Sequence, residues 1–511
     1  MRSVALLVLA MVDPVVLRVT AAGAGRGETM PVAAHADATG MQAAIGVLKS
    51  HGTGVAIVAG TATKHAENPL FAQDRPWEST NGGSINNGYP NVVRTAAGFS
   101  LWYGICAQGC SHQIVGFANS TDGLTWEKPN LHIFSDWAKN NRKDLSGTAN
   151  NIVMQGGGVG VYFDEHEPDA SQRYKGFGGT EGRNAKESAV GACFGPGGSS
   201  GCIGGGTGTS PDGLHWSNAK AVTWPSPQRY DCHNNLFYDA PNKSYVATTR
   251  DGFSGALGRT IGLTRSAPGQ GFDFSTKVSP PMIEHGDKDH QLYSQVTWPW
   301  RGIYLGIVMV FDAIQSGKPG YDGSKVHCRL SYARQPEGPW TWVSKDGLTG
   351  SDIIPLGKNS NAPGDPGYKP GLPNDFDSHI CFASPPVHDP ISQREMLFYM
   401  GGNGPHNGAR NSSFALATLR EDGFAGIGGS GQSKFELTCY GPAPCTTILA
   451  TADVLGAGGS WTLAPSSCAA FNTSRTNTAC ALGAAGPVAA GAKLTATVEL
   501  RDAVIYTLGL S

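Results

Sequence analysis

Ser120-Thr-Asp-Gly-Leu-Thr-Trp126 returns further along the chain as Ser210-Pro-Asp-Gly-Leu-His-Trp216. Each copy reads as a tight turn, with Asp-Gly supplying the reversal and the Trp seating the strand that follows. Looser versions stand at Thr264–Phe274, Ser331–Trp340 and Leu416–Phe424. An aromatic, β-branched stretch precedes each turn: Phe99–Gly104, Arg173–Phe177, Tyr245–Thr249, Gly302–Val308 and Glu395–Met400. Ahead of that comes a segment that opens polar and closes apolar, at Asn86–Val93, Asn150–Met154, Asp231–Tyr238, Asp289–Val296 and Asp377–Pro386. Repetition of this kind signals an array of like units. A four-stranded sheet repeated round an axis is a β-propeller, whose innermost strands line a channel. The spacing, roughly sixty to ninety residues, exceeds the usual blade period and implies long loops. The expected fold is all-β: a five-bladed β-propeller followed by a small C-terminal β-sandwich.

Composition agrees. The chain has 511 residues with Gly 71 and Pro 32, enough for a large core in two domains, and no long helical period. Residues 1–60 read as a leader, targeting or disordered segment, 61–430 as the propeller and 431–511 as the sandwich. The last assignment rests on period-two alternation in Phe435–Thr438, Thr447–Leu449, Leu494–Leu500 and Val504–Leu508. Arg2, the apolar run Val4–Val12 and the small residues Ala21-Ala-Gly23 resemble a secretory signal interrupted by Asp13-Pro14 and Arg18. The stretch Met41–Gly60 is too polar for a membrane span. Net charge is −2 with 15% charged residues scattered along the chain, which excludes nucleic acid and predicts a neutral or modestly charged polymer as partner.

The 11 cysteines point to an oxidising compartment. Cys106 and Cys110, Cys193 and Cys202, Cys439 and Cys445, and Cys468 and Cys480 lie at loop-closing distances, whereas Cys232 and Cys381 read as buried thiols. No pair has zinc-ribbon spacing, no Gly-rich run has phosphate-loop context, and no acidic calcium loop occurs, so neither a metal nor another cofactor is expected. Sequons at Asn119, Asn242, Asn411 and Asn472 permit glycosylation.

Aligned in this way, the chain resembles the five-bladed propeller glycoside hydrolases of families 32 and 43, and most closely family-32-like proteins of unknown substrate. The matching stretches are Lys64–Leu70, Asp74-Arg-Pro-Trp-Glu78, Ser120–Pro129, Asn150–Val153, His233–Phe237, Gln291–Ser294, Ala383–Pro386 and Gly404-Pro-His406, with Leu500–Tyr506 near the C-terminus. The invertase-type Asn-Asp-Pro-Asn, Arg-Asp-Pro and Glu-Cys motifs are missing, so sucrose or fructan specificity does not carry over. The resemblance implies hydrolysis of a glycosidic bond in an oligo- or polysaccharide.

That reaction needs two carboxyl groups, one protonated and one ionised, often with a third that tunes them. Asp231, Asp289 and Asp377 each open a predicted inner strand and are the expected group for catalysis or direct sugar binding; the bland alternative is that they cap turns or pair with channel arginines. Asp74 is a candidate by resemblance, since related enzymes draw a nucleophile or base from the first blade; a salt-bridged turn is its bland alternative. Glu284 is held in reserve as an acid. His233, Asn234, Gln291, His379 and Glu78 are the expected polar sugar contacts, with His290 and His406 nearby and Tyr89, Trp298 and Trp300 available for stacking. Two other readings stay open. One is a sugar-binding propeller without turnover. The other is glycosyl transfer or phosphorolysis, which would require Arg94, Arg229 and Arg250 to converge.

Overall fold

The repeated turn builds the same hydrogen-bond set twice. Ser120 Oγ accepts from the Gly123 N–H at 2.8 Å, and Asp122 Oδ1 accepts from Leu124 and Thr125 at 2.8 Å each. In the second copy Ser210 Oγ accepts from Gly213 at 2.9 Å, and Asp212 Oδ1 from Leu214 at 2.9 Å and His215 at 2.8 Å. Gly123 and Gly213 sit at φ 76° and 75°, where a side chain is strained. Space enforces the same choice, because a Cβ on Gly213 would lie 2.5 Å from Trp102 Cζ2. The buried Trp102 donates its indole N–H to the Gly213 carbonyl at 2.9 Å, so the second turn docks on the preceding strand group.

The computed structural model describes residues 40–511 except 80–84, 86, 108–111, 134–148, 180–204, 223–232, 254–257, 275–285, 407 and 484. Nearly all of its regular structure is strand. The first antiparallel group is Asn91–Thr95, Gly98–Ala107, His112–Ser120 and Ile152–Gln155; the second is Gly157–Phe163, Tyr174–Gly179, Gly205–Ser210 and Ser217–Ala221. Asn235–Asp239, Ser244–Phe253 and Arg259–Arg265 make the third. The fourth, His290–Trp300, Ile303–Asp312 and Val326–Ala333, joins the fifth through one parallel bridge, Val326 to Ile380. The fifth runs Ile380–Ala383, Arg394–Gly402, Ser412–Arg420 and finally Thr63–Lys64. Its last strand therefore comes from the other end of the sequence. Asn68 secures it by bonding both the N–H and the carbonyl of Leu416, at 2.9 and 2.8 Å.

One sequence assignment is corrected here. Asn150–Met154 is not the inner strand of the second group; Ile152–Gln155 pairs with His112–Ser120 at the edge of the first. The chain turns at Gly156, φ 136°, and the edge strand of the second group begins at Gly157.

The groups are joined through their first strands. Asn91 Oδ1 accepts from the Val161 N–H at 3.0 Å, the Asn234 N–H donates to the Gly158 carbonyl at 2.8 Å, and Asn235 Oδ1 accepts from Thr297 at 2.8 Å. The fourth and fifth groups share the Val326–Ile380 bridge and a Cys328–Cys381 disulfide. Ser384 Oγ accepts from Val92 at 2.8 Å, returning the fifth group to the first. A side-chain oxygen thus satisfies a buried N–H that pairing within the group leaves over. The repeated Asn of the polar strand openings is there for this reason.

A further sheet of eight strands is centred on the long strands Ala425–Thr438 and Lys493–Leu510. The domain boundary expected at 430/431 falls inside the first of these. Met41–Ala43, Leu48–His51 and Val55–Ala59, grouped with the leader on sequence, add three strands to this sheet. Their pattern is too short to read locally and is fixed by partners far along the chain. Residues 1–39, with the signal-like segment, lie outside the described residues. Cys381 is not a thiol but half of a disulfide, while Cys439–Cys445 and Cys468–Cys480 pair as expected. Cys106 is disulfide-bonded too. Cys232 and the Cys193 and Cys202 pair lie outside the described residues. Among the described residues no helix is long and apolar enough to cross a membrane.

Candidate functional site

A continuous set of contacts links the residues that begin the first strands. The Tyr89 ring faces His233 at 5.6 Å and Phe382 at 5.1 Å, and its hydroxyl accepts from Asn87 Nδ2 at 2.7 Å. Tyr89 sits at φ 38°, a left-handed conformation uncommon for an aromatic residue. Asn87 Oδ1 accepts from Arg410 Nη2 at 2.7 Å, and Arg410 also donates to the His406 carbonyl at 2.6 Å. His406 packs on Tyr293 at 4.8 Å, which in turn meets Phe382 at 5.4 Å. Burial pushes the His233 imidazole down to about 3, only partly opposed by the Pro90 carbonyl on its Nε2, so the ring is neutral. Both His233 Nδ1 and the two polar atoms of the Asn234 amide are buried without a hydrogen-bond partner among the described residues. The same holds for His406 Nδ1. Such atoms are costly unless something bonds them.

Arginine gathers on the same platform. The Arg250 and Arg259 guanidinium carbons lie 4.3 and 5.0 Å from the Tyr293 ring centroid. Arg259 Nη1 donates to Gln291 Oε1 at 2.5 Å. Burial first, then the Arg410, Arg259 and Arg250 charges, hold His406 well below its usual range. Of the arginines singled out on sequence only Arg250 is here: Arg94 lies against Phe99 and 3.7 Å from Asp389, and Arg229 is outside the described residues. Arg259 and Arg410 were missed. They are brought in from segments far apart in sequence, and no local pattern marks them.

Each predicted acid among the described residues has partners of its own. Asp231 and Glu284 lie outside the described residues. Asp289 is half-buried in a turn in which Asp287 Oδ1 accepts from its N–H at 2.8 Å. Asp377 is 2% exposed, 2.6 Å from Lys64 Nζ, and accepts the Tyr399 hydroxyl at 2.7 Å. Its carboxylate braces the fifth group rather than facing solvent. Asp74 is exposed at 57% and lies 2.8 Å from Lys128 Nζ. Partial burial would raise its carboxyl, but Lys128 outweighs that and holds it below the ordinary carboxylate value. Its neighbour Gln73 accepts from Ser412, two residues from Arg410.

Three expected sugar contacts have structural partners instead. Glu78 is 0% exposed, and its Oε2 accepts from the N–H groups of Asp74 and Arg75 and from Lys128 Nζ at 2.8 Å. Its Oε1 accepts the Tyr103 hydroxyl at 2.5 Å, so the carboxylate is fully used. His379 is likewise 0% exposed and held between Asp365 and Ser378, each at 2.7 Å. Trp298 packs on Phe424 at 5.2 Å. It stands near the far end of its strand, about 25 Å from His290 at the strand rise of extended chain. Trp300 also packs on Phe424, at 5.7 Å.

A separate cluster was not foreseen. Asp312, Asp322 and His327 bring ligand atoms within 4.8 Å of one another, and Asp352 Oδ2 lies 2.8 Å from His327 Nδ1. Burial opposes charge on His327, but the three carboxylates outweigh it and push the imidazole up to about 10. The imidazolium is thus the cation of this cluster.

No family model matches this chain, and neither does any curated protein. Among solved structures it is similar to a thermostable family-43 glycoside hydrolase, at 12% identity and TM-score 0.39, over 68% of this chain and 94% of that one. The catalytic domain of the Coprinopsis cinerea GH62 alpha-L-arabinofuranosidase gives 10% identity and TM-score 0.43, over 70% and 97%. The Phanerochaete chrysosporium exo-beta-1,3-galactanase gives 9% and 0.35, over 89% and 100%. At such scores and identities the likeness transfers neither a residue role nor an activity.

Proposed function

We propose that this chain is a glycoside hydrolase acting on an oligo- or polysaccharide, with its site where the first strands of five propeller blades begin. The observation that carries the reading is the set of buried polar atoms on His233, Asn234 and His406, without a hydrogen-bond partner among the described residues, beside the Tyr89 and Tyr293 rings. A sugar presents closely spaced hydroxyls and an apolar ring face, and it satisfies both kinds of surface at once.

The sequence resemblance supplies the chemistry. One carboxyl group protonates the departing glycosidic oxygen, while an ionised carboxylate attacks the anomeric carbon or activates water. Asp74 suits the ionised part, because Lys128 holds it deprotonated. Asp231 and Asp289 are the other candidates, flanked by His233 and Gln291, and Asp377 supports the strand it precedes. The disulfides, and the exposed sequon asparagines Asn242, Asn411 and Asn472, favour a secreted or secretory-lumen protein.

A sugar-binding propeller without turnover is the competing reading. It is favoured by the separate partners of Asp74 and Asp377. Asp231→Asn separates the two. Loss of turnover with sugar binding retained supports hydrolysis, whereas weakened binding by a protein that never cleaves supports the alternative.

A further inference from the structure

We infer that Asn411 and Asn472 carry N-linked oligosaccharides and that Asn119, which opens the same kind of triplet, does not. The inference rests on the secretory-lumen reading above, because that is where the modification is made.

The three triplets are Asn119-Ser-Thr121, Asn411-Ser-Ser413 and Asn472-Thr-Ser474. Transfer joins the amide nitrogen Nδ2 to the anomeric carbon of a sugar carried on a lipid diphosphate. The carbon–oxygen bond to the diphosphate breaks, its electron pair leaves with the diphosphate, and the transferase takes up one amide proton. The product is a bulky polar chain, so the fold must present that nitrogen to water whenever the transfer occurs.

The fold separates the three. Asn119 lies within the strand His112–Ser120, between buried Ala118 and buried Ser120. Its N–H donates to the Glu127 carbonyl at 3.0 Å, and its own carbonyl accepts from Glu127 at 2.8 Å. Its side-chain Oδ1 is buried, and Nδ2 hangs from the same carbon. A sugar there would drive hydroxyls against a sheet that has no partners to give them.

Asn411 is exposed, in the segment that links the strands Arg394–Gly402 and Ser412–Arg420. Its backbone is held by Asn403: the Asn411 N–H donates to Asn403 Oδ1 at 2.8 Å, and its carbonyl accepts from the Asn403 N–H at 3.2 Å. Asn472 follows Phe471, which stacks on buried Trp461 at 4.2 Å and exchanges two backbone bonds with it, each 2.9 Å. Residues 472–474 are all exposed. Both side-chain amides are without a hydrogen-bond partner among the described residues. Each therefore offers a free amide on an anchored backbone. Asn242 is exposed as well, but its amide nitrogen donates to the buried Asp239 at 2.7 Å, and it stays outside the assignment. One oligosaccharide thus grows from the segment that supplies His406 to the candidate site, the other from a loop of the eight-stranded sheet.

The test expresses the full chain in cells that make N-linked glycans, once with its own N-terminus and once behind an added secretion signal. The product is treated, in heavy-oxygen water, with an amidase that hydrolyses the glycan-bearing amide. Each occupied asparagine becomes a labelled aspartate, which peptide mass spectrometry locates. Label is expected at positions 411 and 472 and not at 119. Asn411→Gln and Asn472→Gln should each remove one glycan from the intact mass, and Ser474→Ala, which keeps Asn472, should abolish its label. Secreted protein without label at 411 or 472, or with label at 119, would overturn the inference. Label at both positions behind the added signal, with the chain retained and unmodified behind its own N-terminus, would uphold the inference while defeating the secretory reading.

Discussion

Replacing Lys128 by Met tests whether Glu78 is a structural group or a sugar contact. Glu78 is 0% exposed and the Lys128 side chain 3%, with nitrogen and oxygen 2.8 Å apart. The ammonium also lies 4.3 Å from the Phe71 ring centroid and donates to the Ala72 carbonyl at 3.1 Å. Removing it leaves a buried carboxylate with three donors, from Asp74, Arg75 and Tyr103, and without the ammonium charge that pairs with it. Breaking a buried pair in this way costs about 3–5 kcal/mol. Asp74 adds little, because that end of the network is exposed and screened. The assay is urea denaturation of the wild type, Lys128→Met, Glu78→Gln and the double variant. Lys128→Met should lower the midpoint at unchanged slope, and the double variant should recover much of the loss. A Lys128→Met cost within about 1 kcal/mol, the range of surface pairs, would refute the structural role. So would a Glu78→Gln variant of wild-type stability that binds sugar more weakly.

Other expectations follow from single contacts. Asn235→Ala removes the acceptor for the buried Thr297 N–H and should destabilise by about 1–3 kcal/mol, read as a lowered melting temperature. An unchanged melting temperature would show that the inter-group bond contributes nothing. Gly213→Ala forces a side chain to φ 75° and into Trp102, and should cost at least the roughly 1–3 kcal/mol of such strain, measured by denaturant midpoint. His327 is raised in the folded protein to about 10, above its unfolded value of about 6.5, so its contribution is complete below the unfolded value and lost as pH rises toward 10. The melting temperature of the wild type should therefore fall over that window relative to His327→Gln; a difference between the two that is constant with pH would contradict the ion cluster.

Much of the strand order was legible because turns and strands are local. The Ser-x-Asp-Gly-Leu-x-Trp repeat encodes its own hydrogen bonds, and the aromatic stretches at Phe99–Gly104 and Glu395–Met400 are second strands of their groups. The strand openings also marked where polar groups collect, since His233, Asn234, Tyr89 and Gln291 belong to the linked set. Non-local facts were hidden. Asn150–Met154 carries the same polar-then-apolar pattern as the true first strands, and only its partner reveals it as an edge strand. Val55–Ala59 looks like leader until Ala425–Gly429 pairs with it. Glu78 and Asp377 have the residue type of catalytic acids, but Lys128 and Lys64 neutralise them from elsewhere in the chain. Arg259 and Arg410 have no motif at all, and folding alone brings them to Tyr293 and Asn87.

The most direct test of the central claim is reducing-end release from a panel of neutral and acidic oligosaccharides by the wild type and by Asp74→Asn, Asp231→Asn and Asp289→Asn. The account predicts cleavage by the wild type, and a loss of about a hundredfold or more in at least one variant that still binds the sugar. Cleavage that survives all three substitutions would contradict the placement of the acids. Binding of a glycan by a wild-type protein that releases no reducing ends from any member of the panel would contradict the hydrolase itself.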